Sequence, residues 1–205
     1  MRIIGGTAGG RLLKVPKGYD VRPTPDLVKQ ALFNSLASRV LDAEILELFA
    51  GSGALGLECL SRGAARVTSV EKADRHARMI RLNLEDVGLE AGRFELRVQD
   101  AFVAVGQLAS ADRQFDLILA DPPFGEKNAG RRSTSFSQRL LDDETLPRLL
   151  RPGGLLILGH TKRDQLTLPA LWRESKVLKH GDSMFRFLRM AVSDGPVDTP
   201  MADRD

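Results

Sequence analysis

The stretch Glu47-Leu48-Phe49-Ala50-Gly51-Ser52-Gly53-Ala54-Leu55-Gly56 decides the fold. Before it, Ile45 to Phe49 is a short apolar run. After it, Ala54 to Ser61 has helical spacing and closes at Gly63. A strand that passes through glycines straight into a helix predicts one βα unit. The glycines allow a tight turn and close approach of the backbone to a ligand. The alternation continues outward on the carboxyl side. Arg66 to Val70, Phe94 to Val98, Phe115 to Ala120 and Leu155 to Leu158 read as further strands. Asp74 to Val87, Ala101 to Leu108 and Gln138 to Leu150 read as the helices between them, the last stopped by Arg151-Pro152-Gly153-Gly154. Lys176 to Lys179 and Met184 to Met190 read as a closing antiparallel pair around His180-Gly181-Asp182. Strands alternating with helices imply a mostly parallel sheet covered on both faces, a doubly wound α/β domain.

On the amino side, residues 1–20 read as extended chain broken by Gly5-Gly6 and Gly9-Gly10, compatible with a short hairpin. Arg22-Pro23-Thr24-Pro25-Asp26 reads as a helix start, with Thr24 as N-cap and Pro25 in the first helical position. Three segments follow: an N-terminal extension over residues 1–40, a main domain over 41–190, and a disordered acidic tail over 191–205.

Of 205 residues, 42% are hydrophobic and 28% charged, which is ordinary for a globular domain. No run approaches the roughly 18 apolar residues that span a bilayer, and no secretory leader is visible. A cytoplasmic, monomeric protein with no membrane partner is expected. The lone Cys59 excludes an internal disulfide and offers no zinc pattern, so no metal is expected. Net charge is only +3, but it is unevenly spread. Residues 1–40 hold seven Lys or Arg against two Asp, or +5; the last fifteen hold four Asp against one Arg, or −3. A basic segment of this kind attracts phosphates and releases counterions on binding, although a solvated surface would have the same composition.

Four sites carry chemistry. The turn at Gly51, Ser52 and Gly53, with Glu47 and Phe49 before it, is placed for a ligand beyond the strand ends. Glu71 stands twenty positions after Gly51, at the end of the next strand. A carboxylate there can accept from ribose hydroxyls. Asp100 and Ala101 follow the third strand. Asp100 can accept from an adenine amino group while capping a helix, and the neighbouring N–H can donate to the ring. A nicotinamide-dependent oxidoreductase would use the first two of these sites equally well.

The fourth site, Asp121-Pro122-Pro123-Phe124, argues for different chemistry. Two prolines fix their backbone angles and remove two N–H donors. They leave a rigid ledge of carbonyl oxygens beside a carboxylate and an aromatic ring. Asp121 and the Pro122 carbonyl can accept both hydrogens of an amino group on a flat base, and Phe124 can stack on that base. Past the ledge, Lys127, Arg131, Arg132 and Arg139 are candidate phosphate contacts, as is Arg22 before the first helix.

The set resembles the class I methyltransferases, whose cofactor is S-adenosylmethionine, and within them the amino-group subset. The resemblance narrows through Met1-Arg2-Ile3-Ile4-Gly5-Gly6, Gly10-Arg11, Arg22-Pro23-Thr24 and Ala31-Leu32-Phe33-Asn34. Together with the glycine turn and Leu60-Ser61-Arg62-Gly63-Ala64, these are similar to the RsmD family. That family methylates N2 of a guanine in bacterial 16S rRNA. The likeness covers roughly residues 1–190. It implies a Rossmann-like fold, S-adenosylmethionine as cofactor, and 16S rRNA, alone or in the small ribosomal subunit, as partner. It implies catalytic Asp121, Pro122 and Phe124. Glu47, Phe49, Gly51, Ser52, Gly53, Glu71, Asp100 and Ala101 would hold the cofactor, and Arg22, Pro123, Arg131 and Arg132 the substrate. Glu47 stands where Asp is more usual, and Phe124 where Tyr is. Two alternatives stay open: an amino methyltransferase acting on adenine in DNA or another RNA, and a non-catalytic RNA-binding protein of the same fold.

Overall fold

The computed structural model describes residues 1–15, 25–123 and 132–191. The main elements are α1 (Asp26–Leu36), β1 (Glu44–Leu48), α2 (Ala54–Ser61), β2 (Arg66–Glu71), α3 (Asp74–Asp86), β3 (Phe94–Val98), α4 (Ala101–Ser110), β4 (Phe115–Ala120), α5 (Phe136–Asp142), β5 (Leu150–Thr161), β6 (Trp172–His180) and β7 (Ser183–Met190). The strands form one sheet in the order β3-β2-β1-β4-β5-β7-β6. The first five run parallel; β7 is antiparallel to β5, and β6 to β7. This is the doubly wound, Rossmann-like sheet expected from the alternation of elements.

Side-chain alternation along the strands explains the two covered faces. Leu46, Leu48, Ile118, Ala120, Leu156 and Leu158 pack with Ala104, Val105 and Leu108 of α4 and Leu140 and Leu141 of α5. The intervening Ile45, Leu117, Leu119, Leu155 and Ile157 pack with Val28, Leu32 and Phe33 of α1 and Leu55 and Cys59 of α2. Each buried side chain of this size contributes roughly 1.5–3 kcal/mol. Trp172, which has no readable role in the sequence, is buried in the first of these clusters. Its indole N–H donates to the Leu141 carbonyl at 3.1 Å.

The N-terminal chain folds back on itself through an antiparallel bridge between Arg2 and Leu12. It is locked onto α2 by Glu58, which has no exposed surface. The Glu58 carboxylate accepts from the Ile4 and Gly5 N–H groups at 2.7 and 2.9 Å and from Arg62 Nε at 2.7 Å. Buried Lys29 stands 3.7 Å from it and donates to the Arg2 carbonyl. A buried carboxylate is tolerated only with such partners.

Three local expectations are corrected. Helix α1 starts at Asp26, and Pro25 sits at its N-cap with extended backbone rather than at the first helical position; Thr24 lies outside the described residues. The helix expected over 138–150 runs instead from Phe136 to Asp142. Asp143 ends it by accepting from the Thr145 and Leu146 N–H groups, both to Oδ1, which competes with helix continuation. Finally, Arg151 to Gly154 do not precede the fifth strand but belong to it, with an irregularity in the pairing opposite Phe115 to Leu117. Of the expected tail, residues 192–205 lie outside the described residues.

Candidate active site

Sheet order reverses at β1. The chain steps from β1 to β2 to β3 on one side, then returns to place β4 and β5 on the other. The crevice at such a switch point, beyond the carboxyl ends of the strands, is where doubly wound sheets bind ligands. Leu48 pairs with Val70 and Ala120, and Glu71 with Val98, so the strands end at matching heights. The four motifs therefore follow one another across the sheet edge: Asp100, Glu71, the glycine turn, Asp121. With strands about 4.8 Å apart, the row spans about 14 Å. That suits an elongated ligand with a reactive centre near β4.

The turn itself is left-handed at Phe49, Gly51 and Gly53, with φ of 59°, 58° and 75°. Gly53 donates to the Ala50 carbonyl at 2.8 Å and is the N-cap of α2. A β-carbon on Gly53 would lie 3.1 Å from Ile80 of α3, so helix packing as well as φ requires glycine. Phe49 has no such freedom, and a positive φ is costly for it. Its ring packs against Phe102 and Phe136, with centroids 6.2 and 5.6 Å away. The Arg139 guanidinium caps this cluster 4.1 Å from the Phe102 centroid. The three rings come from the ends of β1, α4 and α5.

Glu71 joins the turn directly. Its Oε2 accepts from the Gly51 N–H at 2.7 Å and its Oε1 from the Ala73 N–H at 2.8 Å. His76 Nδ1 stands 3.4 Å from the same carboxylate. Each carboxylate oxygen can accept more than one hydrogen bond. Asp100 caps α4, accepting from Phe102 N–H at 3.0 Å, and pairs with Lys72 at 3.2 Å. Desolvation raises its pKa, but the Phe102 and Lys72 bonds outweigh that and hold it below the usual carboxylate value. It is therefore an ionised acceptor at neutral pH.

Glu47 is one position before the end of β1. It is buried beneath the turn, where Oε1 accepts from the Gly56 N–H at 3.0 Å and Oε2 from Ser69 Oγ at 2.5 Å. It ties the first turn of α2 to β2. Burial pushes its carboxyl up to about 7, against the opposing pull of those hydrogen bonds. Its neighbour Gly56 leaves the room this carboxylate needs, since a β-carbon there would collide with it.

At the ledge, Asp121 is partly exposed, Pro122 buried and Pro123 exposed. The Asp121 carboxylate occupies the space where a β-carbon on Gly159 of β5 would stand. Ser137 donates to the Gly159 carbonyl at 2.9 Å, which ties α5 to the same strand position. Phe124, Arg131 and Arg22 lie outside the described residues. Arg132 is exposed and pairs with Asp142 at 2.6 Å. Sequence reading missed Ser69, Gly159 and the Phe102 and Phe136 rings. No local pattern marks them; their roles come from distant partners.

The carboxylates of Asp100 and Glu71, from neighbouring strands, stand in a row on one side of the glycine turn, with Asp121 on the other. The family described as Conserved hypothetical protein 95, the RsmD family, matches residues 1–189. The chain belongs to the RsmD family. It is 34% identical over 172 residues to ribosomal RNA small subunit methyltransferase D of Haemophilus influenzae, covering 84% of each chain. It is 42% identical over 124 residues to the Escherichia coli K12 protein of the same name. That second match spans only 60% of either chain. Among solved structures, Escherichia coli yhhF superposes with a TM-score of 0.75 at 30% identity, covering 93% of this chain and 97% of its own. The RsmD family match takes in the N-terminal segment as well as the sheet.

Proposed function

We propose that this RsmD-family chain transfers a methyl group from S-adenosylmethionine to the N2 amino group of a guanine in 16S rRNA. The observation that carries the reading is the Asp121-Pro122 ledge standing beside the glycine turn, one strand over, at the switch point of the sheet. Family membership and the names of the relatives support it.

Glu71, the Gly51–Gly53 turn and the Asp100-Ala101 corner would hold the cofactor along the row of strand ends. When bound, it supplies an electrophilic methyl on a sulfonium. Guanine's amino nitrogen is a poor nucleophile because its lone pair is delocalised into the ring. Asp121 and the Pro122 carbonyl accept its two hydrogens and draw it toward tetrahedral geometry. Holding nitrogen in line for attack contributes several kcal/mol through orientation alone. The Asp121 carboxylate stabilises the positive charge that develops on nitrogen, and the methylated nitrogen then loses one proton, to Asp121 or to water. A paired guanine cannot reach the ledge, so the target is unpaired or flipped out. The basic N-terminal segment and Arg131 and Arg132 serve the phosphates. No helix among the described residues is long and apolar enough to cross a membrane. A monomer acting in the cytoplasm on small-subunit RNA fits this reading.

The test is transfer of labelled methyl from S-adenosylmethionine to small ribosomal subunits that lack the modification, beside large subunits and DNA. Label in the small subunit alone is expected. Label in DNA would give the adenine-directed alternative. No label anywhere would leave a binding protein without catalysis.

A further inference from the structure

Asn83 of α3 has no exposed surface. Its amide is bonded on every side. Oδ1 accepts from the Lys14 N–H at 2.8 Å, and Nδ2 donates to the Lys14 carbonyl at 2.9 Å and to the Ser52 carbonyl at 3.0 Å. Only a side chain with both donors and an acceptor can make this set. One end lies on the glycine turn. The other lies on the N-terminal chain, just before residues 16–24, which carry Lys17 and Arg22.

The contact at the turn is mechanically specific. The peptide unit between Ser52 and Gly53 is planar, so its two ends move together. Its carbonyl is held by Asn83, and its N–H by the Ala50 carbonyl at 2.8 Å. Glycines on both sides of Ser52 would otherwise leave this plane free to rotate. Ile80, one helical turn before Asn83, packs against Gly53 and reinforces the contact. The N-terminal side is equally tied to α3. Lys14 Nζ pairs with Asp86 at 2.6 Å, and Arg11 donates to the Asp86 carbonyl at 3.3 Å.

We infer that Asn83 is a positioning residue that couples occupation of the cofactor turn to the N-terminal segment. Resting on the proposed function, the inference means that cofactor binding tightens the hold of α3 on residues 11–15 of the N-terminal segment. Such coupling is reciprocal: RNA held by that segment tightens the cofactor site by the same factor.

Amide hydrogen exchange on the full chain, with and without S-adenosylhomocysteine, tests this. In wild type the ligand is expected to slow exchange in peptides covering residues 50–54 and also 11–15. In Asn83→Ala the slowing is confined to 50–54, and calorimetry shows ligand affinity weakened about tenfold. Asn83→Asp keeps the acceptor for Lys14 and loses both donors, so it uncouples in the same way without opening a cavity. If Asn83 merely stabilised the fold, exchange would quicken in both states while the ligand still protected 11–15. That result overturns the inference. So does a wild-type protein in which the ligand protects the turn and leaves 11–15 unchanged. A wild type that binds no ligand refutes the methyl-transfer reading itself, which is a different failure.

Discussion

Gly159 of β5 has no space for a β-carbon because the Asp121 carboxylate fills it. The position of the ledge is therefore set by the neighbouring strand as well as by its own prolines. In Gly159→Ala the added carbon pushes the carboxylate off its place at the amino group. Displacement of about 1 Å at a reacting centre costs roughly 100-fold. The expected result is a fall in kcat of that order with S-adenosylhomocysteine affinity intact. Unchanged transfer would mean that the Asp121 position is not critical.

Asp121→Asn keeps the shape and one acceptor but removes the charge. Loss of one electrostatic stabiliser costs about 10²–10³ in kcat. Steady-state kinetics with saturating cofactor should show that loss, with cofactor affinity unchanged. A loss expressed in cofactor KM instead would place Asp121 in the cofactor site.

Glu71→Gln retains one acceptor oxygen but turns an amide N–H toward the Gly51 or Ala73 N–H that the carboxylate now receives. Hydrogen bonds to a charged group are worth about 1.5–3 kcal/mol, so cofactor affinity should fall roughly 10- to 100-fold. Calorimetry with S-adenosylhomocysteine measures it. In turnover, KM for S-adenosylmethionine should rise by more than kcat falls.

Glu47 gives the fold a pH dependence. Its carboxyl is raised by burial from the ordinary 4.5 to about 7. Between those values the folded protein holds a proton that the unfolded chain has released. Stability from this group is thus fully present below about 4.5 and lost as pH rises through about 7. The full effect is on the order of 3 kcal/mol. Glu47→Gln does not titrate, can accept from Gly56 and can bond Ser69. Urea unfolding should show wild type weakening relative to this variant between pH 5 and 8. A difference independent of pH would contradict the assignment.

The strand ends and their motifs were legible because each is local. The glycine turn, Glu71, Asp100 and Asp121 each follow an apolar run, and sheet topology lines them up. Glu47 shows the limit. Its neighbours in sequence mark it as a cofactor-side acid, while its burial depends on Ser69 and Gly56, which only the packing of β2 and α2 brings to it. Asn83 lies three positions after Ile80 and four before Val87, so helical spacing puts it on the apolar face of α3, but its partners Lys14 and Ser52 come from distant chain. The helix expected over 138–150 ends at Asp142 for a related reason. Asp143 is a tolerable helical residue by composition, and its capture of two backbone N–H groups is a choice made by the turn.

The most direct measurement is nucleoside analysis of 16S rRNA from unmodified small subunits incubated with S-adenosylmethionine and either wild type or Asp121→Ala. The account predicts N2-methylguanosine with wild type and none with the variant. Any other methylated nucleoside, or N2-methylguanosine formed equally well by Asp121→Ala, would contradict it.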